Sequence, residues 1–292
     1  MSRFRFIAAE KANHKVVTMC RVLQVSRSGF YAWSGRPPSP RALRDRELIE
    51  QIRDVHTDSR GTYGAPRVHA ELVLGRGFRL GRKRVARLMR SVHLQGIHRR
   101  SRLGCTRRDP LAALAEDLVG RSFTPAGPDL LWVADITQHH TWQGWWYCAV
   151  VIDAYSRKVV GWSMAEHLRA ELVIDAVDMA VWNRRPSPGL VHHSDHGAQY
   201  TSFAFGRRLR ESGILGSMGT IGDALDNAVA ESFFATLQTE LLDRRSWPTR
   251  RILTTAAFDY IEGFYNRTRR HSTLGYRSPA EYERITVDEA AS

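Results

Sequence analysis

The chain has 292 residues, 43% of them hydrophobic, which is enough to bury a sizeable core and excludes a disordered chain. Lys and Arg outnumber Asp and Glu by 43 to 30, giving a net charge of +13, so a polyanionic partner is expected, most simply nucleic acid. The three cysteines (Cys20, Cys105, Cys148) are far apart and form no C-x-x-C pair, which argues against a disulfide framework and a cysteine zinc site. The start "MSRFRFIAAEK" lacks the apolar stretch of a signal peptide, and the apolar run "CAVVI" (148–152) is far too short to span a membrane.

The first half reads as short helices. "HKVVTMCRVL" (14–23) has a helical apolar period, "QVS" turns the chain, and Ser26 suits the N-cap of "RSGFYAW". Helix, short turn and helix is the helix-turn-helix pattern, a weak signal alone. "GRPPSP" (35–40) reads as a linker, so residues 1–40 are expected to form one helix-turn-helix-like segment with its linker. A second helical unit, 41–108, begins with the stripe Leu43, Leu48, Ile49, Ile52 and Val55. It continues with a helix near Pro66 and another in "GRKRVARLMRSVHL" (81–94). Val85, Leu88, Met89 and Val92 make the apolar face of that last helix. Arg82, Lys83, Arg84, Arg87 and Arg90 lie on the other, followed by Arg99 and Arg100. From Arg76 to Arg108 there are twelve Lys or Arg and no Asp or Glu. A solvated face usually mixes signs, so this one-sign run is expected to track DNA or RNA phosphates.

Residues 109–128 change composition and read as a linker to a domain at 129–286. "DLLWVADITQHHTW" and "WWYCAVVIDAYS" read as strands around a "QG" turn, and "RKVVGWSMAE" as a third, antiparallel strand. "RAELVIDAVDMAVWNR" is a helix, "GLVHHSD" a short strand, "SFAFGRRLRESG" a helix closed by Gly213, "ILGSM" a short strand, and 226–243 a helix. Three hairpin strands followed by alternating helices and parallel strands predict an α/β layered domain.

Three acids stand out. Asp135 interrupts an apolar strand whose neighbours suggest a central position, where a charge is costly unless paired or metal-bound. Asp195 follows the strand "GLVHHS", and ligands in open α/β sheets gather at strand carboxyl ends; a simple turn-forming Asp is the alternative. Glu231 is expected half-buried at the rim of the stripe Ala230, Phe233, Phe234, Leu237 and Leu241; an ordinary surface Glu is the alternative. The stretch "GLVHHSDHGAQY" also leaves a histidine metal site open, with His192, His193 and His196 around Asp195. Such a site would want tetrahedral spacing, so phosphate contact or packing is the stronger reading.

Together, "WVADIT", "HSDHGAQY" and "DNAVAESFFATLQTELL" resemble the DDE transposases of bacterial insertion sequences, IS-three type, of the retroviral-integrase superfamily. "VSRSGFYAW", "SRGTYGAPRVHAEL" and the C-terminal "YNRTRRHSTLGYRSPAEY" extend the resemblance over nearly the whole chain. It implies an RNase H-like catalytic core, a mixed five-stranded sheet with flanking helices, preceded by an all-α helix-turn-helix DNA-binding region. It also implies that Asp135, Asp195 and Glu231 are catalytic and bind two Mg²⁺ ions, with Mn²⁺ able to substitute. Asp135 would bridge both ions, and Gly197 and Gln199 would shape the loop. The implied activity is DNA cleavage and strand transfer during transposition and integration of the element. Element-end and target DNA are the implied substrates, with a homo-multimer assembled on them. An upstream-frame DNA-binding protein or a fusion with it is a further implied partner, and the location is the bacterial cytoplasm, on the nucleoid. A DNA-binding regulator with an inactive core and a nuclease that hydrolyses without joining are the competing readings. The family usually has a basic residue where Gln238 stands, within reach of an adjacent DNA phosphate, and an aromatic where Leu225 stands. Gln238 remains a DNA-contact candidate, and Arg244, Arg245, Arg250, Arg251, Arg267, Arg269 and Arg270 are candidates to supply phosphate contacts instead.

Overall fold

The computed structural model describes residues 2–98, 125–218 and 228–290. The chain divides into two compact units, Met1–Arg53 and Asp54–Ser292.

In the first unit, α1 (Arg3–Glu10), α2 (Val16–Val22) and α3 (Arg27–Ser34) pack around Ile7, Met19, Cys20 and Phe30. The Ser26 hydroxyl caps α3, accepting from the Gly29 amide at 3.0 Å, as its sequence position predicts. Helix α1 is an addition to the sequence reading. Its eight residues are too few for a periodic signal, and its cap at Ser2 and the fully buried Ile7 define it. The "GRPPSP" segment ends by starting a helix. Pro40 opens α4 (Pro40–Asp58), where a missing N–H is no loss, and the Ser39 hydroxyl accepts from the Ala42 amide at 3.2 Å.

The second unit opens with α5 (Ala65–Ala70), continued by a π-helical turn over Glu71–Gly75, and α6 (Arg82–Ser91). Val85, Leu88 and Met89 of α6 are buried, as the amphipathic pattern requires.

The core is a five-stranded mixed sheet in the order β3-β2-β1-β4-β5. Strand β1 (Leu131–Thr141) runs antiparallel to β2 (Gly144–Asp153), which pairs antiparallel with β3 (Val159–Ala165). On its other side β1 is parallel to β4 (Val191–Ser194), and β4 is parallel to β5 (Leu215–Met218). β1 is therefore the central strand, as the apolar residues on both its faces predict.

Strand alternation sorts the two faces. Trp132, Ala134, Ala149, Val151 and Val160 form a core with α7 (Ala170–Arg184) and α8 (Phe203–Glu211). The opposite face carries Val133 and Asp135 of β1 together with Trp146, Val150 and Trp162 of β2 and β3. It is covered from the C-terminal side. α9 (Ala228–Glu240) packs on β1 and β2, and Trp146 Nε1 donates to Thr254 Oγ1 at 3.0 Å in α10 (Arg250–Phe258). Trp162 Nε1 donates to Glu262 Oε1 at 2.8 Å, in the π-helical continuation Asp259–Tyr265. A last helix, α11 (Pro279–Ala290), follows. The helix expected over 226–243 is α9 followed by a 3-10 turn at Leu242–Arg244. Among the described residues no helix is long and apolar enough to cross a membrane.

Gly161 lets α7 approach β3 closely. A Cβ there would lie 2.7 Å from the Ala180 amide nitrogen and 2.8 Å from its Cβ, and would collide with the Ala176 carbonyl oxygen. Helix backbone cannot yield as a flexible side chain would, so Gly161→Ala should lower the unfolding free energy by about 1–3 kcal/mol, read by urea denaturation.

Candidate active site

The parallel register brings two of the three acids together. Val133 pairs with His193 in the last β1–β4 rung. Asp135 and Asp195 each lie two residues beyond that rung, so alternation puts both on one face, Asp135 within β1 and Asp195 just past the end of the neighbouring β4, about 5 Å apart in backbone spacing. They line one cavity of about 190 Å³, together with Gln138, Tyr147, Gln199 and Tyr200.

Asp135 is half-buried, and its Oδ1 accepts from the Ile136 amide at 2.7 Å. Burial pushes its carboxyl up to about 7, opposed by that hydrogen bond and reinforced by the charges of Asp195 and Glu231. Asp195 is exposed. Its Oδ1 accepts from the Gly197 amide at 3.0 Å, which closes a tight loop. A Cβ on Gly197 would press on Asp195 Oδ1 at 3.1 Å and Gln199 Oε1 at 3.2 Å, so a small residue is needed here. Gln199 Nε2 donates to the Leu168 carbonyl at 3.1 Å, tying the loop to the start of α7.

Glu231 sits in the first turn of α9 and is exposed, rather than half-buried as expected. The helix turns Ala230, Phe233 and Leu237 inward and leaves its neighbour outside. Glu231 reaches Asp135 through its charge and is not among the residues lining the cavity. Among the described residues no three His, Cys, Asp or Glu side chains are grouped closely enough to hold one ion.

The histidines belong mainly to the packing. His192 is buried with its ring 5.3 Å from Phe205, and neither ring nitrogen has a hydrogen-bond partner among the described residues. Burial pushes it down to about 4, so it is neutral at physiological pH. His193 is buried and shares a hydrogen bond with Ser217 Oγ at 3.1 Å through Nδ1. His196 is half-buried in the loop after Asp195. Tyr200, which the sequence reading did not single out, is buried and lines the acid cavity.

On α6, Arg82, Lys83, Arg87 and Arg90 are exposed and Arg84 is half-buried. Arg99, Arg100 and Leu225 lie outside the described residues. Gln238 is half-buried, and its Nε2 donates to Asp243 Oδ1.

Several of the C-terminal arginines offered by the sequence as phosphate contacts have partners within the protein. Arg269 is buried and grips Glu240 through two hydrogen bonds of 2.7 and 2.8 Å. Arg270 is buried between Glu71 and Glu281, 2.6 Å from each. Arg250 pairs with Glu166 at 2.8 Å, and Arg244 donates to the Arg60 carbonyl. The acids that pair with Arg250, Arg269 and Arg270 lie 11 to 199 positions away, a pairing that charge counting cannot foresee.

An integrase core domain family matches residues 125–224, and a second integrase core domain family matches 231–287. An HTH-like domain family matches residues 43–102. The transposase InsF for insertion sequence IS3A of Escherichia coli (strain K12) is 37% identical over 283 residues, 96% of this chain and 98% of that protein. The chain belongs to the IS3 family of insertion-sequence transposases. An insertion element IS600 31 kDa protein of Shigella sonnei is 39% identical, with 90% of this chain and 97% of that protein covered. The transposase for insertion sequence element IS629, also of Shigella sonnei, is 37% identical over 94% of this chain and 93% of that protein. A solved structure of the HTLV-2 integrase catalytic core domain in complex with magnesium matches with a TM-score of 0.41 and 17% identity, covering 54% of this chain and 98% of that one. This transposase is thus a DNA-cutting and DNA-joining enzyme with an integrase-type core and a helix-turn-helix-like region.

The raised Asp135 carboxyl has a stability consequence. The metal-free folded transposase binds more protons than the unfolded chain between the ordinary value of 3.8 and about 7. Stability therefore falls as pH rises through that window and stays lower above it. In EDTA, Asp135→Asn should be more stable than the parent at pH 8 by about 2–4 kcal/mol, with the gap closing toward pH 4, measured by urea denaturation at both pH values.

Proposed function

We propose that Asp135, Asp195 and Glu231 are the catalytic carboxylates and that they hold two Mg²⁺ ions, with Mn²⁺ able to substitute. The observation that carries this reading is the shared rung of β1 and β4. Asp135 and Asp195 each lie two residues past it, and Asp195 and Glu231 both raise the Asp135 carboxyl. The charges of Asp195 and Glu231 that bear on Asp135 would be relieved by divalent cations, and the all-oxygen donors of the three acids suit hard ones. When bound, the ions stabilise the attacking and the leaving oxygen of an in-line displacement at phosphorus.

Asp135, central and half-buried, would face both ions, and the exposed Asp195 and Glu231 would each serve mainly one. The Asp195–Gly197 loop holds its carboxylate at the mouth of an open cavity, where a phosphodiester can enter. Water attacks phosphorus first, the P–O bond to the leaving 3′-oxygen breaks, and a free 3′-OH results. That 3′-OH then attacks a second phosphodiester and displaces its 3′-oxygen, so one P–O bond forms as one breaks. No covalent link to the protein is needed.

Residues 1–40 and 41–108 would read and grip the element end, with Arg82, Lys83, Arg84, Arg87, Arg90, Arg99 and Arg100 on phosphates. Residues 109–128 would link them to the catalytic domain 129–286. Gln238 would contact an adjacent phosphate only after leaving Asp243. The working form would be a homo-multimer on paired ends, alone or fused to an upstream-frame DNA-binding protein, in the cytoplasm on the nucleoid.

A gel assay with labelled element-end DNA tests the reading. With Mg²⁺, joined products are expected, and EDTA should abolish them. Asp195→Ala and Glu231→Gln should each lower joining roughly 10³-fold while leaving DNA binding intact. Joining by Asp195→Ala at the parent rate would refute the assignment. Nicking without joining would indicate a nuclease, and a mobility shift without cleavage a regulator.

A further inference from the structure

A second cavity, of about 310 Å³, opens beside α9 away from the acid cavity. Its walls carry Arg67, Arg157, Arg269 and His271, with the hydroxyls of Ser232 and Ser272 near them. Glu240 is the carboxylate that answers two of these cations. It is bidentate to Arg269 and 3.6 Å from Arg67. Arg157 is different. Among the described residues no hydrogen bond or ion pair engages its guanidinium. Asp153, the acid whose charge reaches it, already accepts from the Ser156 amide and hydroxyl and the Asp129 amide at 2.7, 2.9 and 2.7 Å.

Arg157 is half-buried at a left-handed φ of 63° in the β2–β3 turn, an uncommon backbone state for this residue type. Burial pushes its guanidinium down from its usual value, and burial together with the surrounding arginines holds His271 neutral. A partly desolvated guanidinium without a counter-charge is costly unless an anion joins it. The cavity lies at the small end of ligand pockets, about 300–1,000 Å³, which suits a phosphate with its sugar and is too narrow for a base pair. Ser232 follows Glu231 on α9, so the cavity opens on the helix that carries the third acid.

We propose that this cavity seats one DNA backbone phosphate, with Arg157 as its principal charge partner and Arg67 and the hydroxyls beside it. The bound strand would then tie α5, which carries Arg67, to the catalytic helix α9. The proposal rests on the DNA-joining reading for its ligand and not on the metal assignment, so its test is run in EDTA, where no chemistry occurs.

Fluorescence anisotropy of the full chain with a labelled duplex carrying the terminal inverted repeat measures affinity against salt. Arg157→Gln should weaken binding about tenfold and lower the slope of log affinity against log salt by about 0.9, the value for one phosphate contact. A methylphosphonate scan of the duplex should find one linkage whose neutralisation weakens the parent chain but leaves Arg157→Gln unchanged. Ser272→Glu, an exposed change at the mouth, should behave in the same way and decides the matter if Arg157→Gln does not fold. Inorganic phosphate at matched ionic strength, followed by thermal shift, is the second arm. If it stabilises the parent while no linkage depends on Arg157, the cavity takes free anions and the DNA proposal is overturned. Folded variants that keep the parent's salt slope and every linkage sensitivity would overturn it as well.

Discussion

Glu240 and Arg269 form an ion pair from which water is nearly excluded, with side chains 6% and 4% exposed and a 2.7 Å contact. Burying two charges is expensive, and such a pair survives when its remaining hydrogen-bonding capacity is filled. Tyr260 supplies a further donor at 2.9 Å, and Arg67 adds positive charge at 3.6 Å. Burial alone would raise the Glu240 carboxyl, yet Arg269 and its neighbours hold it below its usual value. The pair joins the end of α9 to the chain beyond the core. Glu231 lies nine residues earlier on the same helix, about 13 Å along it. The placement of the third acid therefore depends on an arginine that follows it in sequence by 38 positions.

The same network docks the helical segment of the second unit. Tyr63 OH accepts from the Arg270 amide at 2.6 Å, Arg67 Nε donates to the Arg270 carbonyl at 3.1 Å, and Arg270 reaches Glu71. The residues between Thr268 and Glu281 thus serve the helix-turn-helix-like module and α9 at once. That dual role explains why Arg269 and Arg270 are buried in the protein.

Much of this was legible in the sequence because it depends on local periodicity. Alternation in "DLLWVADITQ" shows a strand with no solvent face, and that strand proves central, with Asp135 on it. The equal spacing of Asp135 and Asp195 from a shared rung was not legible, since register is a long-range property. The exposure of Glu231 was misjudged because one step around a helix separates a buried side chain from a free one. The basic run on α6 has the exposure its pattern predicts. Arg269 and Arg270 carry the same letter and are buried, because acids distant in sequence meet them. His192 and His193 left a ligand reading open beside Asp195, but His192 packs on Phe205 of α8 and His193 shares a hydrogen bond with Ser217 of β5, which makes them core residues. Arg157 carried no sequence signal at all, since only the folded chain reveals that no acid among the described residues pairs with it.

The central claim is that Asp135, Asp195 and Glu231 converge on divalent metal. Anomalous diffraction from crystals of the full chain with element-end DNA and Mn²⁺ measures this directly. The account predicts manganese peaks between Asp135 and Asp195, with Glu231 drawn in as a ligand. Manganese bound at His192, His193 or His196, or ordered only away from the three acids, would contradict it.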